Sequence, residues 1–430
     1  LEARRVTFRL HPTKSQTKKL HYWRRMHKDL YKAALYNRKT QYQRFNHSVD
    51  YLEQQNCLPA FKQVHPEYKE LGSHALQATL KRVDFAFNRF FKGLAKYPKF
   101  KSGRLYRGWT YPCTSGWKTH TTGDHGFLEL SNLGEIRMRG RARAWGRPTT
   151  CTILWKNHKW YASITVNCDP VRETSTGAIG LDFGCKTAVA MSNGTKVENP
   201  RFLAKASEKV QKASLRLRRK QTPNRKKKIK ASKRWKQAKK LVSKLSSKVA
   251  NQRDDWQHKV ATQIVSSNSL VATEELNLKG MTRKAKKGSK RKRQKTGLNR
   301  SLLDVGIGAF KQKVKYKLEE AGGVYIEVKT TKVKPTQRCP KCWKTEPKDL
   351  SQRVHECKHC GFVEDRDVAV AMVCVLHAQG FGTNLSNRGA SSSTPQTRKH
   401  TGAMAQLGAK KRQKLLITDS GGAETPLSTK

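Results

Sequence analysis

Four cysteines in one short stretch constrain the fold of this chain more than any other feature. Cys339, Cys342, Cys357 and Cys360 follow the spacing C-x2-C-x14-C-x2-C within residues 335–373. Four thiolates in two such pairs close a tetrahedron around Zn2+, so the spacing indicates a structural zinc site. A chance cluster or two disulfides are the alternatives. Both are disfavoured because the chain is long and its composition is not disulfide-dense.

An acidic pair follows the last cysteine. Asp365 and Asp367 flank Arg366, and the apolar run 368–375 begins directly afterwards, so Asp367 is predicted to open a buried helix. One carboxylate rarely holds a catalytic metal alone. The pattern therefore predicts partner acids elsewhere in the chain.

Two further acids occupy comparable positions, each directly after a buried strand. Residues 178–181 have the pattern of such a strand and precede Asp182, and residues 270–273 repeat it before Glu274. A carboxylate in this position is costly unless it is paired or binds metal. With Asp367 they would suit two Mg2+ ions, one lowering the pKa of an attacking water and one stabilising the leaving 3′-oxygen. Three acids in unrelated salt bridges are the alternative.

The charge balance indicates a polyanionic partner. The 430 residues include 90 Lys and Arg against 31 Asp and Glu, a formal charge of +59. Nucleic acid is the first candidate. A membrane surface is the competitor, but no apolar run approaches the roughly 18 residues of a spanning helix, and nine Trp with twelve Tyr suit base stacking.

The remaining cysteines are scattered, which fits a reducing cytosol and ordinary small apolar side chains; they are Cys57, Cys113, Cys151, Cys168, Cys185 and Cys374. Because the chain begins at Leu1 and not at Met, we expect that a start residue or a tag has been trimmed.

Periodicity predicts the elements of the N-terminal part. Residues 4–10 form a strand, and a helix follows Pro12 with an apolar stripe at Leu20, Trp23, His27, Leu30 and Ala34. A second helix is predicted over residues 73–96, ending before Pro98. Its apolar side consists of Leu76, Leu80, Val83, Phe87, Phe90, Phe91 and Leu94.

The rest of this part is predicted to be a loop and two hairpins. Residues 96–117 interleave Lys and Arg with aromatic residues, and Pro and Gly interrupt any regular secondary structure. This pattern predicts a loop that lies along a nucleic-acid backbone. The hairpins pair residues 127–130 with 135–138, and 153–155 with 160–166. With the first strand they predict a small β-barrel into which the helices are inserted.

Basic segments dominate the C-terminal part. Residues 201–248 contain twenty Lys or Arg against one Glu and predict two helices joined near Pro223, with Leu215, Leu217, Trp235, Leu241 and Leu245 as sparse anchors. Nine bases in residues 283–295 predict a mobile loop. A helix with Leu302, Leu303, Ile307, Phe310, Val314 and Leu318 inward and a strand at 324–328 follow. From about Gly380 the low apolar content predicts a disordered tail.

Four motifs in this order resemble TnpB, the transposon-encoded RNA-guided endonuclease with a split RuvC-like nuclease, related to type V CRISPR effectors. They are GLDFG around Asp182, EELNLKGM from Glu274, the pairs TQRCPKC and CKHCGF, and DRDVAVA with Asp367. The segment KYPKFKSGRLYRGWTYP resembles another motif of that family. The resemblance covers nearly the whole chain.

The resemblance implies roles for individual residues. Asp182, Glu274 and Asp367 would be the catalytic Mg2+ ligands, and Cys339, Cys342, Cys357 and Cys360 would bind structural zinc. Glu275 falls where the family often has Asp and is not counted as a ligand. Two departures remove no ligand: Ala369 stands where the family usually has Asn, and Trp343 where it usually has Gly.

The implied fold class is an α/β multidomain chain. A small β-barrel wedge domain (1–14 and 105–172) contains an inserted helical recognition domain (15–104). An RNase H-like (RuvC) nuclease domain (177–334 and 362–379) contains an inserted zinc ribbon (335–361), and a disordered tail (380–430) follows.

The implied function is that of an insertion-sequence endonuclease in the prokaryotic cytoplasm. A guide RNA from the transposon end directs cleavage of double-stranded DNA beside a short flanking motif, with two Mg2+ ions at the nuclease site and structural Zn2+. A strand-transferring transposase on the same scaffold is the first alternative, and RNA would separate the two. A binding protein without cleavage is the second, disfavoured because all three acids are present. The oligomeric state is left open.

Overall fold

A computed structural model describes residues 2–103, 105–169, 172–224, 229–285, 288, 290–349 and 352–381. The predicted tail beyond residue 381 and the bases at 225–228, 286 and 287 lie outside these residues. Up to residue 168 the elements are β1 (Glu2–His11), α1 (Lys14–Phe45), α2 (Tyr51–Asn56), α3 (Leu58–Val64), α4 (Ser73–Phe91), β2 (Gly108–Tyr111), β3 (Trp117–His120), β4 (Asp124–Leu130), β5 (Gly134–Arg141), β6 (Arg147–Lys156) and β7 (Lys159–Cys168).

Seven strands of this described part form one antiparallel sheet in the order β2-β6-β7-β1-β5-β4-β3. Both predicted hairpins are confirmed, as β4 with β5 and β6 with β7, and the first strand, β1, joins them by pairing with β7 and β5. The tight turn between β6 and β7 uses Asn157 and His158, both with positive φ, as a two-residue hairpin requires. Among the described residues the outer strands β2 and β3 are not paired with each other, so hydrogen bonds do not close the predicted barrel.

The helices between β1 and β2 share one hydrophobic core with this sheet. The α1 stripe at Leu20, Trp23 and Leu30 is buried as predicted. In contrast, α4 ends at Phe91, which is 73 % exposed, and Leu94 is 64 % exposed. The predicted apolar side was therefore too long at its C-terminal end.

The predicted loop at 96–117 is confirmed for its described residues outside β2 and the start of β3, but most of its aromatic side chains are not exposed as a stacking surface requires. Tyr106, Trp109 and Trp117 are buried, and Trp109 belongs to β2. Tyr97 and Phe100 remain exposed, each with the Lys39 ammonium over its ring. Most of the aromatic residues in this segment thus fill the core and cannot stack on bases.

The elements after residue 176 are β8 (Gly177–Asp182), β9 (Thr187–Met191), β10 (Lys196–Glu198), α5 (Phe202–Arg218), α6 (Lys233–Ser267), β11 (Asn268–Glu274), α7 (Leu278–Met281), α8 (Lys292–Val305), α9 (Ile307–Glu320), β12 (Val324–Val328), α10 (Thr330–Val333), β13 (Val354–Glu356), β14 (Val363–Asp365) and α11 (Arg366–Ala378). The two basic helices, the strands around the acids and the strand at 324–328 are confirmed. Of the anchors predicted for the basic helices, Leu215 and Leu241 are 47 % and 43 % exposed.

One predicted helix is two helices. Gly306 adopts φ +69°, where an L-residue is strained, and it separates α8 from α9. Leu303, predicted to face inward, is 59 % exposed, whereas Phe310, Val314 and Leu318 are fully buried. Part of the predicted basic loop also belongs to α8, which begins at Lys292.

Five strands form the second sheet in the order β10-β9-β8-β11-β12 within the described residues. β8, β11 and β12 are parallel, and β9 and β10 extend the sheet with antiparallel pairings. Helix α11 lies directly on β8: a Cβ built at Gly180 would stand 1.7 Å from the Ala371 carbonyl oxygen. Only a glycine permits this approach.

Residues Leu1–Phe381 form one compact unit, and the predicted domain boundaries within it remain proposals. Across the described residues, no helix combines the length and apolar character needed to cross a membrane.

Gly180→Ala should destabilise the protein because the added methyl group meets main-chain atoms of α11. Overpacking of this kind costs about 3 kcal/mol, and we expect the thermal midpoint to fall by roughly 4 °C for a unit of this size. Gly297→Ala is the matched control, since its Cβ would meet open space within α8 and should leave the midpoint unchanged or slightly higher. Equal midpoints for Gly180→Ala and the unaltered chain would show that α11 is not seated on β8.

Candidate functional site

The three predicted acids converge at one edge of the second sheet. Leu181 of β8 pairs with Thr273 of β11 in parallel register, so the next residues, Asp182 and Glu274, end the two neighbouring strands side by side. Asp367 lies in the first turn of α11, which packs across the same strands. We call these three residues the acid cluster.

Electrostatics show how close these carboxyl groups are. Burial, together with the neighbouring Glu274 and Asp367 carboxylates, raises the pKa of Asp182 from 3.8 to about 8, and Arg366 opposes this rise. Burial also raises the pKa of Glu274, against the effect of Lys311 and with that of Asp367. The fold thus holds the Asp182 and Glu274 carboxyl groups where burial and like charge disfavour their ionisation.

Two cations partly offset this crowding, and sequence reasoning missed the role of both. Arg366 donates from Nε (3.1 Å) and Nη2 (3.0 Å) to one oxygen of Asp367. The buried Lys311 of α9 donates from Nζ to the main-chain oxygen of Glu274 (2.7 Å) and pairs with Glu327 at 2.7 Å. The sequence carries no local signal for Lys311, because helix packing alone brings it to β11.

Asp365 has a role that the sequence could have shown. Its side chain caps α11, accepting from the main-chain N–H groups of Asp367 (3.0 Å) and Val368 (3.3 Å), and it pairs with Lys196 at 2.7 Å. An Asp just before an apolar helical run is a common capping signal. Glu275, in contrast, is exposed, and its main-chain N–H donates to the oxygen of Val328 at 2.9 Å.

The donor set of the acid cluster suits a hard cation. Mg2+ binds carboxylate oxygens and retains waters that fill a spacious site. Among the described residues, the oxygens of the three acids do not all lie within 4.8 Å of one another. Since Arg366 holds Asp367, a cation at this edge would compete with its guanidinium.

The four cysteines form a much tighter group. Their sulfur atoms all lie within 4.8 Å of one another, with Cys339 to Cys360 at 3.7 Å and Cys342 to Cys357 at 3.6 Å. A disulfide bond is about 2.05 Å, whereas thiolates at about 2.3 Å from a tetrahedral zinc are separated by roughly 3.8 Å. This cysteine cluster could therefore hold a metal ion.

Matching turns shape the two halves of the cysteine cluster. The N–H of Trp343 donates to the oxygen of Cys339 (3.0 Å) and that of Gly361 to the oxygen of Cys357 (2.9 Å), and both donors have positive φ. Trp343 thus keeps a conformation that favours glycine, while its ring packs edge-on against Phe381 at 5.2 Å. Burial opposes ionisation of Cys357, yet main-chain N–H donors from residues 359 and 360 lower the pKa of its thiol to about 7.

The acid cluster makes a prediction about pH in the absence of divalent cations. The folded-state pKa of Asp182 lies above its ordinary value, so the protonated carboxyl group favours the folded state. This contribution to stability is complete below pH 4 and is lost as pH rises through about 8. Asp182→Asn should therefore melt at a higher temperature than the unaltered chain at pH 8.5, and by a smaller margin at pH 5.5, in EDTA.

Glu275→Gln is the control for this experiment, because an exposed carboxylate should have little effect at either pH. Thermal melts by circular dichroism measure the difference. An Asp182→Asn midpoint equal to or below that of the unaltered chain at pH 8.5 contradicts the electrostatic account.

Comparisons with known proteins match both parts of this site. Residues 162–285, which include Asp182 and Glu274, match the OrfB_IS605 family model, described as "Probable transposase". Residues 308–374, which include the cysteine cluster and Asp367, match the "Cas12f1-like, TNB domain" model. These are the two segments in which the sequence motifs were found.

Curated relatives and a solved structure extend the similarity. The Escherichia coli K12 protein named "Putative RNA-guided DNA endonuclease InsQ" is 29% identical over 70% of this chain and 73% of its own length. A "Putative RNA-guided DNA endonuclease" of Streptomyces pristinaespiralis is 25% identical over 91% and 94%. A chain from a Cas12f1–sgRNA–target DNA complex shares the fold, with a TM-score of 0.55 and 10% identity over 84% and 83%. The resemblance predicted from the motifs is therefore confirmed, and the chain is TnpB-like.

Proposed function

We propose that this chain is an RNA-guided DNA endonuclease that hydrolyses double-stranded DNA at the acid cluster, next to a short flanking motif. The observation that carries the proposal is the convergence of Asp182, Glu274 and Asp367 at one end of the second sheet, where Glu274 is buried and the other two acids are partly buried. The names of the two curated relatives support the same activity. A guide RNA from the transposon end is the proposed source of sequence choice.

In this proposal the three acids hold two Mg2+ ions. When bound, the ions supply an activated water and a counter-charge for the leaving 3′-oxygen. The chain's own residues prepare the ligands: β8 and β11 present Asp182 and Glu274 in fixed register, and the Asp365 cap fixes the first turn that carries Asp367. Asp182 must lose a proton to act as a ligand, because its pKa of about 8 keeps much of it protonated near neutral pH.

Charge accounts for nucleic-acid binding in this scheme. Helices α5 and α6 carry much of the basic segment 201–248, and many of its Lys and Arg side chains are exposed. Exposed Lys and Arg side chains spread over two long helices suit binding to a sugar–phosphate backbone. Such contacts do not distinguish one nucleotide sequence from another. We propose guide RNA and target DNA as the partners.

The cysteine cluster is proposed to bind structural zinc. Its sulfur separations fit a tetrahedral site, and the chain runs from Cys360 through β14 directly into the capped start of α11. Arg366 adds a side-chain link, since Nη1 donates to the Gln352 oxygen at 3.0 Å while Nε binds Asp367. Zinc would thus stabilise the segment that orients one catalytic acid.

A strand-transferring transposase is the second candidate. The description "Probable transposase" for the model matching residues 162–285 favours it, and its chemistry would use the same acids. Sequencing of copurifying nucleic acid separates the two: a guide transcript with cleavage directed by its spacer supports the endonuclease, and joined DNA products without RNA support the transposase.

Removing any one acid should abolish cleavage but spare binding. Asp182→Ala, Glu274→Ala and Asp367→Ala should each lower Mg2+-dependent cleavage of a matched plasmid roughly a thousandfold or more. Filter binding of the same target should persist, because the phosphate contacts come from bases elsewhere. Glu275→Ala is the control and should cut normally, whereas Asp365→Ala should also slow cutting through loss of the helix cap. Normal cutting by all three acid variants would overturn the nuclease proposal.

Cys357→Ala should release roughly one zinc ion per chain, because three thiolates hold zinc less well than four. Plasma mass spectrometry of the purified protein counts the metal, and hydrogen exchange in residues 366–378 should increase as α11 loses its support. Cys57→Ala, at an exposed cysteine outside the cluster, is the control and should change neither readout. An unchanged zinc content in Cys357→Ala would mean that the cluster is not the zinc site.

A further inference from the structure

A cavity of about 650 Å3 lies between the two sheets of the described chain, away from the acid cluster. Its walls come from β1, the end of β5 and the segment after it, Arg172, α6 and α9. We call it the junction cavity. Six basic side chains line it against one acid, Glu320; they are Arg4, Arg5, Arg141, Arg143, Arg172 and Lys317.

Glu320 already forms ion pairs with arginines of the lining. The Glu320 side chain is 4 % exposed and accepts from Arg172 Nε at 3.0 Å and from Arg143 Nη2 at the same oxygen. Arg4 Nε stands 3.3 Å from its other oxygen. Glu320 therefore positions guanidinium groups around the cavity and leaves the lining strongly positive.

Two cations of the lining, Arg172 and Lys317, keep N–H donors that an anion could accept from. The Arg172 side chain is 11 % exposed and uses only Nε for Glu320; its Nη groups have no hydrogen-bond partner among the described residues. Lys317 is 4 % exposed and donates to the main-chain oxygen of His258 at 2.7 Å and to the Thr262 hydroxyl. Burial, with Arg172 and Arg143 nearby, lowers the pKa of Lys317 to about 8.

We propose that the junction cavity binds a phosphate group, held by Arg172 and Lys317. Guanidinium forks match phosphate oxygens, and a cavity of this size admits a nucleotide-sized group. The phosphate comes either from the backbone of bound RNA or from a free phosphate compound. The first source rests on the proposed function and the second does not.

A phosphate bound in the junction cavity would link the first sheet to helix α9. Arg4 lies in β1 and Arg143 in the connection between β5 and β6, whereas Lys317 and Glu320 lie on α9. An anion between them adds charge-assisted hydrogen bonds to both sides. Binding of phosphate should therefore also stabilise the chain against unfolding.

Pyrophosphate titration calorimetry on the full chain, stripped of RNA by nuclease and high salt, tests the site. Lys317→Met and Arg172→Gln should each weaken pyrophosphate binding about tenfold or more, since each removes a charged donor. Arg5→Ala, at an exposed lining residue that cannot unfold the core, should weaken it to a smaller extent. Lys156→Met, an equal charge change outside the cavity, should bind as the unaltered chain does.

The same titration on the chain that retains its RNA separates the sources. Loss of pyrophosphate binding in that sample assigns the site to the RNA backbone, and unchanged binding assigns it to a free phosphate compound. Equal affinity in all variants, or no binding to the stripped chain, overturns the proposal. Guided cleavage is scored separately, so a chain that cuts DNA but binds no pyrophosphate refutes only the cavity site.

Discussion

Repulsion among three carboxyl groups, one of them buried and two partly buried, is the constraint on which the second sheet and the helices packed against it depend. Parallel pairing of β8 with β11 brings Asp182 next to Glu274, and the close approach of α11 at Gly180 brings Asp367 to the same edge. Burial and like charge both disfavour ionisation there, as the raised pKa of Asp182 shows. A fold selected for stability alone would not place three acids in this position.

The surrounding side chains are explained by this repulsion. Lys311 supports the main chain at Glu274, and Arg366 balances the charge of Asp367. Asp365 pairs with Lys196 and caps the helix, so it takes no direct part in the crowding. Because Arg366 also reaches the Gln352 oxygen, the geometry of the cysteine-bearing segment and that of the acid cluster are coupled through one residue.

The sequence could single out the three acids, which the structure brings together, because their signal is local. A buried strand that ends in an acid can be recognised from a few residues, and so can cysteine pairs at short spacing. The functions of Lys311 and of the Arg172–Glu320 contact could not be predicted, since each depends on residues distant in sequence. The aromatic residues from Tyr106 to Trp117 were misassigned because a mixture of basic and aromatic residues is compatible with two structures. It suits a strand at the edge of a sheet with its aromatic side chains in the core, and it also suits a surface that stacks on nucleobases.

The central claim is that the acid cluster is a divalent-metal site, and anomalous scattering from Mn2+ in crystals of the full chain tests it most directly. The account predicts Mn2+ between the carboxylates of Asp182, Glu274 and Asp367, with the Arg366 guanidinium displaced from Asp367. Mn2+ bound only at other places, with Arg366 still on Asp367, would contradict it.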